Sequence, residues 1–223
     1  SDGGALIHQN LAALDKLVKK GVGLACIHYT LDVPKGSKAA QLLLDGLGGY
    51  YEQHWSVNPT WEADFKELPK HPIANGVKPF KINDEWYFHM RFVDDMKGVT
   101  PILTALPPDG TKKGGDGAHS GNPTVRSRLG LPEHVGWAYE RPDGGRGFGT
   151  TAGHFHWNWG HDQMRKVLLN AFLWVAKAEV PPDGVPSKTP TAEELAENQH
   201  APKPADFKPE KIQQMIDKWN AAP

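Results

Sequence analysis

The sequence predicts an α/β domain with a mostly parallel sheet, helices on both faces and a proline-rich C-terminal tail. Three observations carry this. A helix-patterned segment, Leu6 to Lys20, runs directly into a short continuous apolar run, Val22 to Ile27, the pattern of a parallel strand buried on both faces. The strongest helical period, Asp162 to Ala178, follows a hairpin-like pair of runs. After Val180 the composition changes, and Pro181, Pro182, Pro186, Pro190, Pro202, Pro204 and Pro209 punctuate the remainder. The 223-residue chain thus divides into a domain over 1–179 and a tail over 180–223.

Each element has its own warrant. Within Leu6 to Lys20, Leu6, Leu14, Leu17 and Val18 fall near one face, and Gly21 stops the helix. The strand Val22 to Ile27 is expected at the centre of the sheet. Leu42 to Leu47 reads as a short helix ended by Gly48 and Gly49, and Thr60 to Lys66 fits neither period. Lys81 to Phe92 alternates as one strand, with Asn83, Glu85, Tyr87 and His89 on one face and Ile82, Trp86 and Phe88 on the other. Val99 to Leu106 is a further strand. Pro107 to Pro132, rich in glycine, proline and lysine and without period, is a long ordered loop or flap. Val135 to Glu140 and Gly147 to Ala152 pair around Pro142-Asp143-Gly144-Gly145. Asp162 to Ala178 buries Met164, Val167, Leu168, Ala171, Trp174 and Val175. In the tail, Thr191 opens a helix through a capping box to Glu194, and a second helix runs from Pro209 to Asn220. With few apolar residues, the tail is expected to wrap the domain or touch a partner and to form no core of its own.

Composition excludes several function classes. The 25 basic and 26 acidic residues nearly cancel, which gives no support for nucleic-acid binding or a polybasic membrane contact. No apolar run is long enough to span a bilayer, and Ser1 opens no signal-peptide pattern. The lone cysteine, Cys26, precludes an internal disulfide and a multi-cysteine zinc site. The Asn-Pro-Thr triplets at Asn58 and Asn122 are not glycosylation signals, because proline holds the middle position.

The stretch Gly153-His154-Phe155-His156-Trp157-Asn158-Trp159-Gly160-His161 is chemically the most unusual, with three histidines and two tryptophans in nine residues. A solvated loop has little use for paired tryptophans, and an apolar core has little use for three imidazoles. The combination suits a polar ligand with an apolar face, a metal ion, or both.

Several segments in order then resemble the trehalose-utilisation (ThuA-like) family. They are Gly23-Leu24-Ala25-Cys26-Ile27-His28, Gly48-Gly49 with His54, and His71-Pro72-Ile73 with Gly76. Next come Asp84-Glu85-Trp86-Tyr87, Trp137 with Glu140, Gly145-Arg146-Gly147-Phe148, Gly153-His154, and Leu169-Asn170-Ala171-Phe172-Leu173-Trp174. The match runs from about Leu6 to Ala178, and its specificity lies in the ordered set. The resemblance implies a class I glutamine-amidotransferase-like, flavodoxin-like fold and a place in bacterial metabolism of disaccharides or their keto forms, in the cytoplasm or exported. The strand and helix with which the family usually opens have no counterpart ahead of Leu6: either this sequence lacks them, or a partner, a homo-oligomer or a cleaved piece supplies them.

The candidate chemistry follows. His28 closes a buried strand, and ligands of α/β sheets bind outside the carboxyl ends of strands. His154 and His156, two residues apart, leave the same face if the segment is extended, about 6.6 Å apart at the backbone. They could chelate one divalent ion such as zinc, with a third ligand from His28, His54 or Glu85, or bond sugar hydroxyls directly. The resemblance favours Asp84-Glu85, and strand parity allows only one of the two into one pocket. His28, Glu85, Asp84 and His154 are therefore the expected catalytic residues, and His28, His154 and His156 the metal ligands. His54, Tyr87, Trp157 and Trp159 are the expected substrate contacts, with His54 on the rim. His161 could serve only to cap the following helix. Arg146, after Gly144-Gly145, reads as structural, paired with an acid such as Glu140. The run Gly145, Gly147, Gly149 opens no helix, so no nucleotide cofactor is expected.

Three functions compete. One is an enzyme acting on a sugar by histidine and carboxylate acid–base chemistry, with or without a metal. A second is a carbohydrate-binding or scaffolding domain, whose mark would be a shallow tryptophan platform with no buried acid. The third is an amidotransferase-like hydrolase using Cys26, for which no Cys-His-Glu set assembles; a small buried thiol is the plainer reading.

Overall fold

The computed structural model describes residues 3–197, 199, 202–203 and 207–221. The chain opens with α1 (Gly3–Gln9) and α2 (Leu11–Lys19), two helices where one was expected. Asn10 separates them; its side-chain amide donates to the Leu6 carbonyl at 2.9 Å, the competition with the helix ladder that this residue type brings. Next come β1 (Leu24–Ile27), α3 (Lys38–Leu47) and the short β2 (Gly49–Tyr50). Ser37 caps α3 by accepting from the Ala40 N–H.

The ambiguous segment is a strand, β3 (Thr60–Phe65), paired antiparallel with β4 (Phe80–Glu85). In both, every second residue is buried, as a half-covered hairpin requires. The expected single strand from Lys81 to Phe92 ends at Glu85, and the chain resumes pairing only in β5 (Arg91–Phe92). One feature breaks it: His89 takes a left-handed conformation, φ 56°, outside the extended region that a strand requires.

The main sheet joins β1 to β8 (Arg146–Thr150), β7 (Glu133–Glu140) and β6 (Val99–Ala105), in the order β1-β8-β7-β6. It is mixed. The β1–β8 pair is parallel, and the β8–β7 and β7–β6 pairs are antiparallel. The expectation of a mostly parallel sheet with β1 at its centre is therefore corrected for the described residues. The turn between β7 and β8 is too short for a crossover, so these strands must run antiparallel, and β1 lies at the end of the four-strand order.

Helices α3 and α5 (Asp162–Val175) pack against β8. Glycine makes one approach possible: a Cβ on Gly147 would lie 2.2 Å from the Gly46 carbonyl oxygen of α3. One buried cluster unites β3, β4 and α5 with Val135, Ala138 and Phe148 of the sheet. The other unites α3 with Leu31, Tyr51, Tyr87 and Trp137.

The long segment after β6 is ordered by its polar groups. It holds a 3-10 turn at Asp109–Lys112 and a short helix, α4 (Pro123–Arg126), capped by Asn122. Lys112 is wholly buried, and its ammonium donates to the Arg128 and Leu131 carbonyls, both at 2.6 Å. Arg146 donates to the Trp174 carbonyl and lies over that indole, so its partner is α5 where Glu140 was expected.

Beyond Val180 the chain is held by side chains of the domain. Asn75 donates to the Val180 carbonyl, Asn170 accepts from the Val185 N–H, and Asp162 accepts from Thr189. Thr191 and Glu194 form the capping box of α6 (Ala192–Ala196), and α7 (Pro209–Asn220) follows. Asn220 ties α7 back, donating to the Gly160 carbonyl and accepting from the Asp162 N–H. No helix of the described residues is long and apolar enough to cross a membrane.

Candidate functional site

The parallel register of β1 on β8 sets Ile27 opposite Thr150, so the residues that follow, His28 and Thr151, emerge side by side at the carboxyl end of the pair. His28 adopts φ 54° and opens a 3-10 turn over His28–Leu31. A left-handed non-glycine residue costs about 1–3 kcal/mol and needs surroundings that hold it. Here the holder is the Thr151 carbonyl, 2.8 Å from His28 Nδ1. A carbonyl only accepts, so Nδ1 carries the proton and the Nε2 lone pair faces outward.

That Nε2 meets three groups. Tyr87 Oη lies at 3.0 Å, Glu85 Oε2 at 3.2 Å and His154 Nδ1 at 3.2 Å. Glu85 Oε2 is also 2.8 Å from His154 Nδ1, and the other carboxylate oxygen accepts from Asn58 Nδ2 at 3.1 Å. Burial, then the negative charge of Glu85, pushes the Tyr87 hydroxyl well above its ordinary range, which keeps it a donor. Tyr51 stands edge-on to Tyr87 and bonds His119 through its hydroxyl at 3.0 Å; burial raises its pKa in the same direction.

Asp84 lies on the opposite side of β4 from Glu85 and is fully buried. Its Oδ1 accepts from the N–H groups of Glu85, His154 and Phe155, and its Oδ2 from the Gly153 N–H and the Asn158 amide. Gly153 reaches this arrangement at φ 109°, and a Cβ there would lie 2.9 Å from Ile27 Cγ2. One carboxylate thus fixes the segment that carries His154, while the next residue presents its carboxylate to that histidine.

Of the residues the sequence singled out, His28, Glu85, His154 and Tyr87 come together. One atom each from His28, Glu85 and His154 lies within 4.8 Å of the others, a spacing compatible with holding a metal ion. Asp84 serves from beneath and does not share the pocket with Glu85. His156 does not join them. The segment from His156 to Gly160 is a 3-10 turn and not extended, so the two-residue parity with His154 is lost, and His156 Nε2 donates to the Leu195 carbonyl at 2.8 Å. Trp157 turns to Phe207, with ring centroids 5.4 Å apart, and Trp159 packs against the core. Trp157 lines a cleft that His154 also borders. His54 is exposed at φ 63°, and its N–H donates to the Ala118 carbonyl. His161 caps α5, accepting from the Gln163 and Met164 N–H groups. Cys26 is buried in the core, where desolvation pushes its thiol up to about 12.

Thr151, Asn58, Tyr51 and His119 were not anticipated. Thr151 acts through its backbone carbonyl, which no residue type advertises. Asn58 had been considered only as a failed glycosylation triplet.

A family model described as trehalose utilisation, ThuA, matches residues 2–175. The chain belongs to the ThuA family. Neither the curated proteins nor the solved structures offer a match. The family match spans the segments that carry His28, Glu85 and His154, and membership ties the chain to sugar utilisation.

Proposed function

We propose that the chain is a sugar-acting enzyme whose centre is His28, Glu85 and His154, and that these three residues hold a divalent cation such as zinc. The observation that carries this is the meeting of three ligand atoms, His28 Nε2, His154 Nδ1 and Glu85 Oε2, at 2.8–3.2 Å. With His28 Nδ1 donating to the Thr151 carbonyl, Nε2 is the ring nitrogen that faces the other two ligand atoms. Zinc bonds to nitrogen and oxygen of roughly 2.0–2.2 Å place tetrahedral ligands about 3.3 Å apart, close to the separations here. Two further contacts hold the outer atoms of the ligands: His28 Nδ1 on the Thr151 carbonyl and Glu85 Oε1 on Asn58. Such partners orient metal ligands and tune their basicity.

A bound ion would polarise a carbonyl or water oxygen. The protein's own groups would do the rest. Tyr87 donates from one side, and Glu85, with one oxygen held by Asn58, can move a proton at the other. Ketonic or hemiacetal carbon of an oxidised sugar is the substrate class that this set suits. A non-catalytic sugar platform is disfavoured because the acid, with its side chain 19% exposed, sits recessed between two imidazoles. The Cys26 hydrolase is disfavoured by burial of the thiol.

The test is elemental analysis of the purified protein with a chelator titration, repeated on His154→Ala. About one zinc per chain, lost in His154→Ala with the fold retained, supports the reading. A wild-type chain that takes up no divalent ion sinks the metal. Retained turnover of keto-sugars in Glu85→Gln would sink the acid–base assignment as well.

A further inference from the structure

His154 also borders a second cleft, of about 290 Å³, built from the segment 154–157 and from tail residues that include Gln199, Lys203 and Phe207. We propose that this cleft binds a single carboxylate-bearing sugar ring, a hexuronate, and delivers it to the face of His154. The proposal rests on the sugar-handling reading above and adds a substrate class to it.

Three features point to that ligand. The first is size: the volume is at the lower end of ligand pockets, about 300 Å³, enough for one sugar ring. The second is the wall. The Trp157 and Phe207 rings lie 5.4 Å apart and 33° from parallel, and together they form a continuous apolar surface for the C–H face of a pyranose. The third is charge. Lys203 Nζ lies over the Phe207 ring, 5.2 Å from its centroid, so a positive charge lines the cleft together with His154 and His156. Among the described residues the lining carries no carboxylate. A neutral sugar offers the ammonium only hydroxyl acceptors, whereas a uronate adds an ion pair to the hydrogen bond.

The cleft exists because the tail is held down at this point. His156 donates to the Leu195 carbonyl, and Gln199 approaches the same imidazole nitrogen at 3.3 Å. The tail residues Lys203 and Phe207 therefore act as specificity determinants supplied from outside the family-matched residues 2–175.

Calorimetric titration of the full chain with sodium glucuronate, and with methyl glucoside as a neutral ring of the same shape, tests this. The expected result is at least tenfold tighter binding of glucuronate at low salt, with the advantage shrinking as salt is added. Lys203→Met should remove the advantage, and Phe207→Ala should weaken both sugars. Zinc content is measured on the same samples and should be unchanged in both variants. Equal binding of the two sugars, no binding of glucuronate, or an undiminished advantage in Lys203→Met overturns the proposal. A chain that holds zinc but ignores glucuronate overturns this inference alone. One that binds glucuronate as stated but takes up no zinc overturns the metal reading and leaves the cleft standing.

Discussion

Replacing Asp84 by asparagine tests whether one buried carboxylate organises the site. The side chain keeps its shape and loses one acceptor oxygen. If the amide oxygen takes the Oδ1 position, it keeps the Glu85, His154 and Phe155 N–H groups, at 2.8, 3.1 and 3.2 Å. The new NH₂ group then faces the Gly153 N–H and the Asn158 amide, which now donate to Oδ2 at 2.8 and 3.0 Å. Donor meets donor at two contacts beside the fully buried position 84: the Gly153 N–H loses this partner, and the Asn158 amide keeps only the Asn83 carbonyl. Hydrogen bonds to a charged group are worth roughly 1.5–3 kcal/mol each and are not additive, so the expected loss is about 3–4 kcal/mol. That is a large share of a typical domain's stability of about 5–15 kcal/mol. Urea unfolding followed by tryptophan fluorescence measures it. A second readout separates positioning from stability. Below the unfolding transition, the zinc affinity of the proposed centre, by chelator competition, should fall roughly 10–100-fold, the usual cost of losing a partner behind the ligands, because the 153–155 segment no longer holds His154. A variant within about 0.5 kcal/mol of wild type, with unchanged zinc affinity, would refute the assignment of Asp84 as the organiser.

The remaining predictions concern charge and burial. Glu52 is desolvated, yet hydrogen bonds from Arg91, Tyr50 and Lys35 outweigh that burial and hold its carboxyl down at about 2 against an ordinary 4.5. Its folded-state pKa is depressed, so its contribution is complete above pH 4.5 and is lost as pH falls toward 2. The shift is equivalent to about 3 kcal/mol at most, and Glu52→Gln should flatten the acid limb of a stability–pH curve. Lys112→Met should cost about 2–4 kcal/mol, since it takes a charged donor from the Leu131 carbonyl and from the Arg128 carbonyl, which keeps only the Leu131 N–H, and removes a cation 3.8 Å from Glu133; urea midpoints measure it, and a neutral result would contradict the role given to the ammonium. Cys26→Ser should leave sugar turnover nearly intact, because the thiol is buried and far from ionising at neutral pH. Loss of turnover on alkylating Cys26 alone, with the fold retained, would revive the thiol route.

Much of the architecture was legible because its causes are local. The capping box of α6, the start and end of α7 and the buried face of α5 follow from residue types at fixed offsets. The mixed sheet was not legible, since strand direction depends on which neighbours pair and the apolar run of β1 looks the same at a centre or an edge. The break at Asn10 and the end of β4 at Glu85 were missed for a related reason: a hydrophobic period continues through a residue whose side chain or φ interrupts the backbone.

At the site, periodicity helped where it described the true backbone and misled where it did not. Parity on β4 separated Asp84 from Glu85, and the separation has a consequence that parity alone does not reveal. Adjacent carboxylates on opposite faces of one strand end can act on the same histidine, one through its backbone and one through its ring. Asp84 holds the His154 N–H while Glu85 meets His154 Nδ1. The same reasoning applied to His154 and His156 failed because the chain bends at His154 and Phe155 and enters a 3-10 turn at His156. Asp84 itself is bound to that departure: its two oxygens collect the N–H groups of three successive residues, 153–155, a convergence that a strand, with N–H groups pointing alternately to opposite sides, cannot offer. The turn that removes His156 from the centre therefore shares its cause with the placement of His154 in it. A substitution that restored extended backbone at Gly153 would be expected to scatter the centre and not to enlarge it.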